Sequence, residues 1–302
     1  MIGLDKRLVE AFRAYLLTQK RASKNTVNAY ISDIRQLVSF CKEQSISQHP
    51  SVQDLKAFIK DLRTKQQVGS RTLSRKISSL KSFFAYLNQY HKLPNSAAEL
   101  VFPKIDKRLP GLMSETQIAQ LFESSKKDTS HGGVRNAVML HLLYGAGLRV
   151  SELVNLRLAN LKLDEGLISI MGKRDKERLV PVHSQIIGML KAYLKKERKT
   201  MIKETVTDVV FPVRYAGNLQ PMSRQAFWGL LKKMARTVLP VGQNIHPHML
   251  RHSLATHLLR QGADLRSLQL LLGHESLATV QIYTHLDTTD LRKLYDKKHP
   301  RS

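Results

Sequence analysis

Residues 94–111, PNSAAELVFPKIDKRLPG, carry prolines at 94, 103 and 110 and no helical period. Proline lacks the amide hydrogen that a helix interior or central strand needs, and it biases the preceding residue toward extended backbone. The stretch therefore reads as a linker, and it divides a chain of 302 residues into two parts. Each part is long enough to bury a core of its own. The expected organisation is an N-terminal domain over 1–93, a linker over 94–111 and a C-terminal domain over 112–302, with a tail over 286–302. Directly after the linker, Ser114-Glu115-Thr116-Gln117 has the capping-box pattern, so a helix is expected to start there.

Charge narrows the class of partner. Lys and Arg total 49 against 24 Asp and Glu, a net charge of +25. Residues 1–108 hold 20 basic and 8 acidic side chains, and residues 109–302 hold 29 and 16, so the halves carry +12 and +13. An excess shared by both halves points to a polyanion gripped by both, as in a clamp, and not to a basic tail on a neutral domain. No apolar run is long enough to span a bilayer, and the start lacks a signal-peptide pattern. The one cysteine, Cys41, has no internal disulfide partner, which fits a reducing cytoplasm.

The N-terminal part is expected to be helical. Ser23 reads as an N-cap, and Val27, Tyr30, Ile31, Ile34, Leu37 and Val38 follow at helical spacing. A second helix starts near Ser70, with Leu73, Ile77, Leu80, Phe84 and Leu87 as its stripe. Its other face shows Arg71, Arg75, Ser78 and Ser82. Short hydroxyls between arginines let a nucleic-acid backbone approach while the guanidiniums meet phosphate, so Arg71 and Arg75 are DNA-contact candidates. The C-terminal part is mixed. VRNAVMLHLLYGAGLRVSELVNLRL reads as a helix ending near Tyr144, a Gly-Ala-Gly break and a second helix from about Val150. Leu161–Leu163, Leu167–Met171 and Leu179–Val182 read as a small antiparallel sheet with a turn around Arg174 and Asp175. The remainder is expected to be helical, giving a mainly α fold with one small β-sheet in the C-terminal domain.

Several polar residues stand where chemistry can be done. Pro247 suits a first helical turn, and His248 and Arg251, three apart, share a face there, where backbone N–H groups favour an anion. Arg149 starts a helix after a glycine turn. Lys173 follows a glycine at a strand end. His274 follows Gly273, which reads as a helix stop, and Tyr283 comes nine residues later. A zinc site is the other reading of so many histidines. His248 and His252 have ligand spacing, but the glutamate of a His-Glu-x-x-His motif is absent and no cysteines assist, so no metal is expected.

Together these segments resemble one family. SKNTVNAYISDIRQLVSF and SRKISSLKSFFAYL look like the core-binding domain of a tyrosine recombinase of the phage-integrase superfamily. YGAGLRVSELVNL, GKRDKERLVPV, HPHMLRHSLATHLL and LLGHESLATVQIYTH look like its four catalytic blocks, in family order. The ending LRKLYDKKHPRS is most similar to the Xer branch. The resemblance implies a two-domain DNA clamp and a catalytic set of Arg149, Lys173, His248, Arg251, His274 and Tyr283, with Glu152 as a supporting acid. Arg174 stands where the family usually has a second glycine, which makes that turn more basic and a further DNA-contact candidate.

The resemblance also implies the chemistry. Tyr283 attacks a DNA phosphate to give a 3′-phosphotyrosine and a free 5′-hydroxyl, and a strand from partner DNA then attacks the phosphotyrosine. Bond energy stays in the covalent intermediate, so no cofactor is required. Arg149 and Arg251 would bind the non-bridging oxygens, His248 would accept the tyrosine proton, Lys173 would protonate the leaving oxygen and His274 would donate to the phosphate. The implied partners are duplex DNA at a specific site, a homo- or hetero-tetramer with a sister recombinase, and a septal DNA translocase, with chromosome or plasmid dimers as substrates. The alternatives are an integrase of a mobile element with the same chemistry, and a non-catalytic DNA-binding module, which would have lost at least one of these residues.

Replacing Tyr283 by Phe removes only the hydroxyl. Tyr283→Phe is expected to abolish covalent capture of a nicked duplex on a denaturing gel while leaving gel-shift binding intact; a covalent band from the variant would reject Tyr283 as nucleophile.

Overall fold

The computed structural model describes residues 6–46, 49–104, 111–171, 177–240 and 243–272. The chain divides into two compact units, Met1–Arg108 and Leu109–Ser302. No helix among the described residues is long and apolar enough to cross a membrane.

The first unit holds four helices, α1 (Lys6–Thr18), α2 (Lys24–Glu43), α3 (Val52–Thr64) and α4 (Ser70–His91). Ser23 caps α2, its Oγ accepting the Thr26 amide at 3.2 Å. Ser51 and Asp54 close a capping box on α3. Each helix buries one stripe, with Phe12, Ile34, Phe58, Leu80 and Phe84 among the most enclosed side chains. The apolar periods of α2 and α4 are legible in sequence. Those of α1 (Leu8, Phe12, Leu16) and α3 (Leu55, Phe58, Leu62) are equally helical but shorter, and they complete the core. The unit also runs past residue 93, where the linker was expected to begin. Ala97 and Leu100 are buried in its core, so 94–100 is packed chain, with apolar side chains outweighing its proline.

One polar cluster interrupts that core. The Asp33 carboxylate on α2, 3% exposed as a side chain, accepts from Arg75, from Lys76 at 2.9 Å and from Ser79 at 3.0 Å, all on α4. Lys76 is itself buried, and a buried ammonium is tolerated only when paired. The cluster fixes how α2 meets α4, which apolar stripes alone leave free to slide. It also changes the position of the two arginines: Arg71 is exposed, whereas Arg75 is half-buried and anchored on Asp33.

The second unit is built around α6 (Gly133–Gly145), whose side chains from Arg135 to Tyr144 are all buried. A helix buried on every side, with Arg135, Asn136 and His141 enclosed among its apolar residues, must be covered on every side. Its neighbours are α5 (Glu115–Lys126), α8 (Ser184–Lys195), α10 (Arg224–Ala235) and α11 (Pro247–Arg260). The expected capping box starts α5, with the Ser114 Oγ accepting the Gln117 amide at 3.1 Å. Two short helices, α7 (Val150–Val154) and α9 (Glu197–Ile202), and a terminal α12 (Leu265–Leu272) complete the helical set among the described residues. The expected sheet is present as β1 (Leu161–Lys162), β2 (Leu167–Met171) and β3 (Glu177–Pro181), antiparallel in sequence order.

One expectation fails. The rest of the unit is not wholly helical, because β4 (Pro212–Tyr215) and β5 (Asn218–Pro221) form a second hairpin. Its turn places Ala216 at φ +48° and Gly217 at φ +82°, the pair of left-handed residues that a two-residue hairpin of matching twist requires. Ala-Gly lacks the Asn or Asp that usually marks such a turn, and four-residue strands bounded by prolines show too little alternation to be recognised.

Asp33→Ala strands the buried Lys76 ammonium, and removing one partner of a buried ion pair costs about 3–5 kcal/mol. Amide hydrogen exchange on the full chain is expected to show protection of α2 and α4 falling by roughly 100- to 1,000-fold or more. Unchanged protection would mean that the cluster is not what joins these helices.

Candidate active site

Four charged side chains meet between α7, β3 and α11. Arg149 is the N-cap of α7, with extended backbone at φ −71°, ψ 146°. Its amide donates to Glu152 Oε2 at 2.8 Å and its guanidinium donates to Glu152 Oε1 at 2.8 Å. Arg178 on β3 reaches the same carboxylate with both terminal nitrogens, at 2.9 and 2.8 Å. This fork-to-fork geometry fixes direction as well as charge. Glu152 is largely buried. Burial alone would raise its pKa, but the hydrogen bonds from Arg178 and from the Arg149 amide outweigh it and hold the carboxyl below its ordinary range.

Arg251 on α11 is 6% exposed. Its guanidinium donates to the carbonyls of Gly147 and Leu272, so it ties the loop before Arg149 to the end of α12. Burial, then the charge of Arg149, pushes its pKa down to about 10, and Glu152 opposes them. It remains a cation at neutral pH. Gly147 is required by packing. It sits at φ +59°, and an added Cβ would lie 2.7 Å from Leu272 and 2.9 Å from Leu254, so only glycine lets its carbonyl meet Arg251. Arg149, Arg178 and Arg251 set three positive charges against the one of Glu152. Fixed guanidiniums in a partly dehydrated surface are suited to a dianionic or pentavalent phosphate.

His248 lies in the first turn of α11, exposed, one residue after Pro247. Before it, His246 is the N-cap, and its Nδ1 accepts the Met249 amide at 3.1 Å. Trp228 on α10 steadies this entry by donating its indole N–H to the Ile245 carbonyl at 2.6 Å. The Lys232 ammonium sits 3.8 Å from the indole centroid. Deeper in α11, the Ser253 hydroxyl accepts the Met113 amide at 2.9 Å, and His257 pairs with the Tyr144 hydroxyl at 2.9 Å.

The structure therefore brings Arg149, Glu152 and Arg251 into one cluster and sets His248 on the helix that carries Arg251. Lys173, Arg174, His274 and Tyr283 lie outside the described residues. Lys173 and Arg174 fall in the connection between β2 and β3, which pair up to Met171 opposite Glu177. Arg178 was not anticipated. Its signal was present: it shares a strand face with Val180, which is fully buried, and a charge on a core-facing position demands a partner. Among the described residues no group of three or more His, Cys, Asp or Glu side chains is placed to hold a metal ion.

Arg178→Ala leaves a buried carboxylate with one arginine and is expected to destabilise the chain by about 3 kcal/mol. Arg178→Lys should recover only part, since an ammonium cannot span both oxygens. The sign of the pH effect follows from the depressed carboxyl. Stability from Glu152 is present above the unfolded-state carboxylate pKa and is lost as pH falls through the folded one. Removing Arg178 raises the folded value, so the acid loss begins at higher pH. Urea midpoints at pH 7 and pH 4.5 test this; midpoints equal to wild type at both would dismiss the bridge.

Residues 112–290 match the phage integrase family, and residues 9–91 match the phage integrase N-terminal SAM-like domain. Tyrosine recombinase XerD of Shewanella oneidensis is 38% identical over 296 residues, spanning 97% of this chain and 97% of that protein. Tyrosine recombinase XerD of Staphylococcus saprophyticus is 34% identical over 301 residues, spanning 98% and 99%. In fold, the chain is similar to the XerH site-specific recombinase bound to its difH substrate in a pre-cleavage complex. That match has a TM-score of 0.67 at 24% identity and covers 94% of this chain and 83% of that one. With two family segments that together span most of the sequence, and relatives similar from end to end, the chain belongs to the phage integrase family, among its tyrosine recombinases.

Proposed function

We propose that this chain is a Xer-like site-specific recombinase that cuts and rejoins duplex DNA through a 3′-phosphotyrosine. The observation that carries the reading is the convergence of Arg149 and Arg251 on one cluster with a surplus of positive charge. Near-full-length similarity to XerD proteins supports it and does not favour the mobile-element alternative, which shares the chemistry but not that likeness.

Arg149 and Arg251 neutralise the phosphate as charge builds on its non-bridging oxygens. They need no proton exchange to do so, because both stay charged at working pH. Glu152 and Arg178 keep Arg149 aimed. His248, exposed at the start of α11, accepts the proton of Tyr283, whose hydroxyl attacks phosphorus as the bond to the 5′-oxygen breaks. Lys173 protonates that oxygen, and His274 donates to a non-bridging oxygen. The reverse step, with a 5′-hydroxyl of the partner strand, releases Tyr283 and seals the new junction, so phosphodiester bonds are conserved. Both basic units close on the duplex as a clamp, Arg71 and Arg174 meet phosphate, and Arg75 does so while held by Asp33. Four protomers, homo- or hetero-oligomeric with a sister recombinase, act on two sites in the cytoplasm, with a septal DNA translocase as activator and chromosome or plasmid dimers as substrates.

Selection of bound duplexes from a random pool is expected to return one site, and a plasmid carrying two copies should be resolved by the protein, with its sister recombinase if required. Binding should weaken with a log–log salt slope of about −0.9 per phosphate contact, and cleavage should survive excess EDTA. A selected site that occurs only at the ends of an inserted element would overturn the Xer assignment, and hydrolysed ends in place of rejoined strands would overturn the chemistry.

A further inference from the structure

The helix that carries His248 and Arg251 is capped by a titratable group. His246 adopts the extended backbone of an N-cap, φ −143°, ψ 153°, and its Nδ1 accepts the Met249 amide at 3.1 Å. A ring nitrogen can accept only while it carries no proton, so the cap exists only for the neutral imidazole with its hydrogen on Nε2. A hydroxyl cap has no such condition. Elsewhere in this chain Ser23, Ser114 and Ser223 perform the same task with Oγ.

Resting on the recombinase reading above, we propose that His246 is a positioning residue: its neutral ring holds the first turn of α11, and with it His248 and Arg251, in the arrangement for strand cleavage, and acid releases that turn. Protonation would set an N–H against the Met249 N–H and place a cation at the positive end of the helix dipole. The Met249 amide also donates to the His246 carbonyl at 2.9 Å, and Met249 and Leu250 are buried, so the ring nitrogen is the titratable one of several contacts that hold the turn. Pro247 contributes no amide, and the entry is otherwise steadied by the Trp228 hydrogen bond to Ile245.

The surroundings keep the ring neutral near pH 7. His248 stands two residues along the same helix as its titratable neighbour, and α10 brings the Lys232 ammonium over the Trp228 ring. Among the described residues no carboxylate is paired with it. Although the residue is exposed as a whole, partial desolvation of its ring and then the charge of His248 hold its pKa below the ordinary 6.5. The sign is that of a histidine depressed by folding. The cap's stability is fully present above the unfolded-state pKa and is lost as pH falls through the lower, folded value. A positive charge on His248 disfavours a second one on His246, so the cap is more secure once His248 holds the tyrosine proton.

His246→Ser supplies a cap without the titration, and His246→Ala supplies none. Two measurements on the full chain decide. In thermal melts, the midpoint of His246→Ser relative to wild type is expected to rise by about 2–4 °C between pH 7.5 and pH 5.5, the effect of one cap in a domain of this size. In covalent capture of a nicked duplex, the ratio of His246→Ser to wild type should rise about fivefold over the same interval, with wild type losing activity more steeply. His246→Ala should lie below His246→Ser at pH 7.5 in both assays. A midpoint difference and a capture ratio that do not change with pH would overturn the proposal. If no protein, wild type included, captures DNA, the recombinase reading fails while the melts still test the cap. If the serine variant does not fold, exchange protection of the Met249 amide in wild type, corrected for intrinsic rate, replaces it. Protection retained at pH 5.5 would overturn the proposal.

Discussion

Glu152 receives the Arg149 amide, the Arg149 guanidinium and both terminal nitrogens of Arg178. Three pieces of chain converge on those two oxygens: the loop after α6, the short helix α7 and the edge of the β-sheet. A five-residue helix has too few hydrogen bonds of its own to hold a side chain in place. Its orientation comes from the carboxylate, which turns α7 from a flexible connection into a fixed mount for Arg149. Arg251 completes the arrangement from α11 through backbone carbonyls, so the two arginines are located by different means.

The surrounding fold serves this junction. Because α6 is buried along nearly its whole length, helices gather round it, and the loops at its C-terminal end, including Gly147, are then held at a closed packing front against Leu254 and Leu272. The result places guanidiniums at the margin of a dry core, where their field is weakly screened. The N-terminal unit uses the same device at another scale. A buried acid on α2 collects cations from α4, and a charged residue is held in position by a carboxylate that the solvent hardly reaches.

Much of this was legible in the residues. The periods of α2 and α4, the Ser114 capping box, the Gly-Ala-Gly break and the three-stranded sheet each rest on local patterns of a few residues, and local patterns survive folding. The order of the catalytic blocks made the family recognisable. What escaped was set by contacts between distant segments. Arg178 is one more basic residue in a basic run until its strand face is known. Asp33 interrupts an apolar stripe without announcing that Lys76 will be buried against it. Gly147 reads as a permissive turn, when its need is the approach of Leu254 and Leu272. The β4–β5 hairpin is short and its turn residues atypical, so pairing and not propensity decides it.

Trp228 is the chain's one tryptophan, and its indole bridges α10 to the carbonyl just ahead of α11 while a lysine ammonium rests on its ring. Indole emission responds to hydrogen bonding at its nitrogen and to nearby charge. The protein is thus wired with a built-in optical gauge, unlabelled and unambiguous in origin, sited where the reactive helix begins, and stopped-flow traces of its light can time how that helix settles onto a duplex.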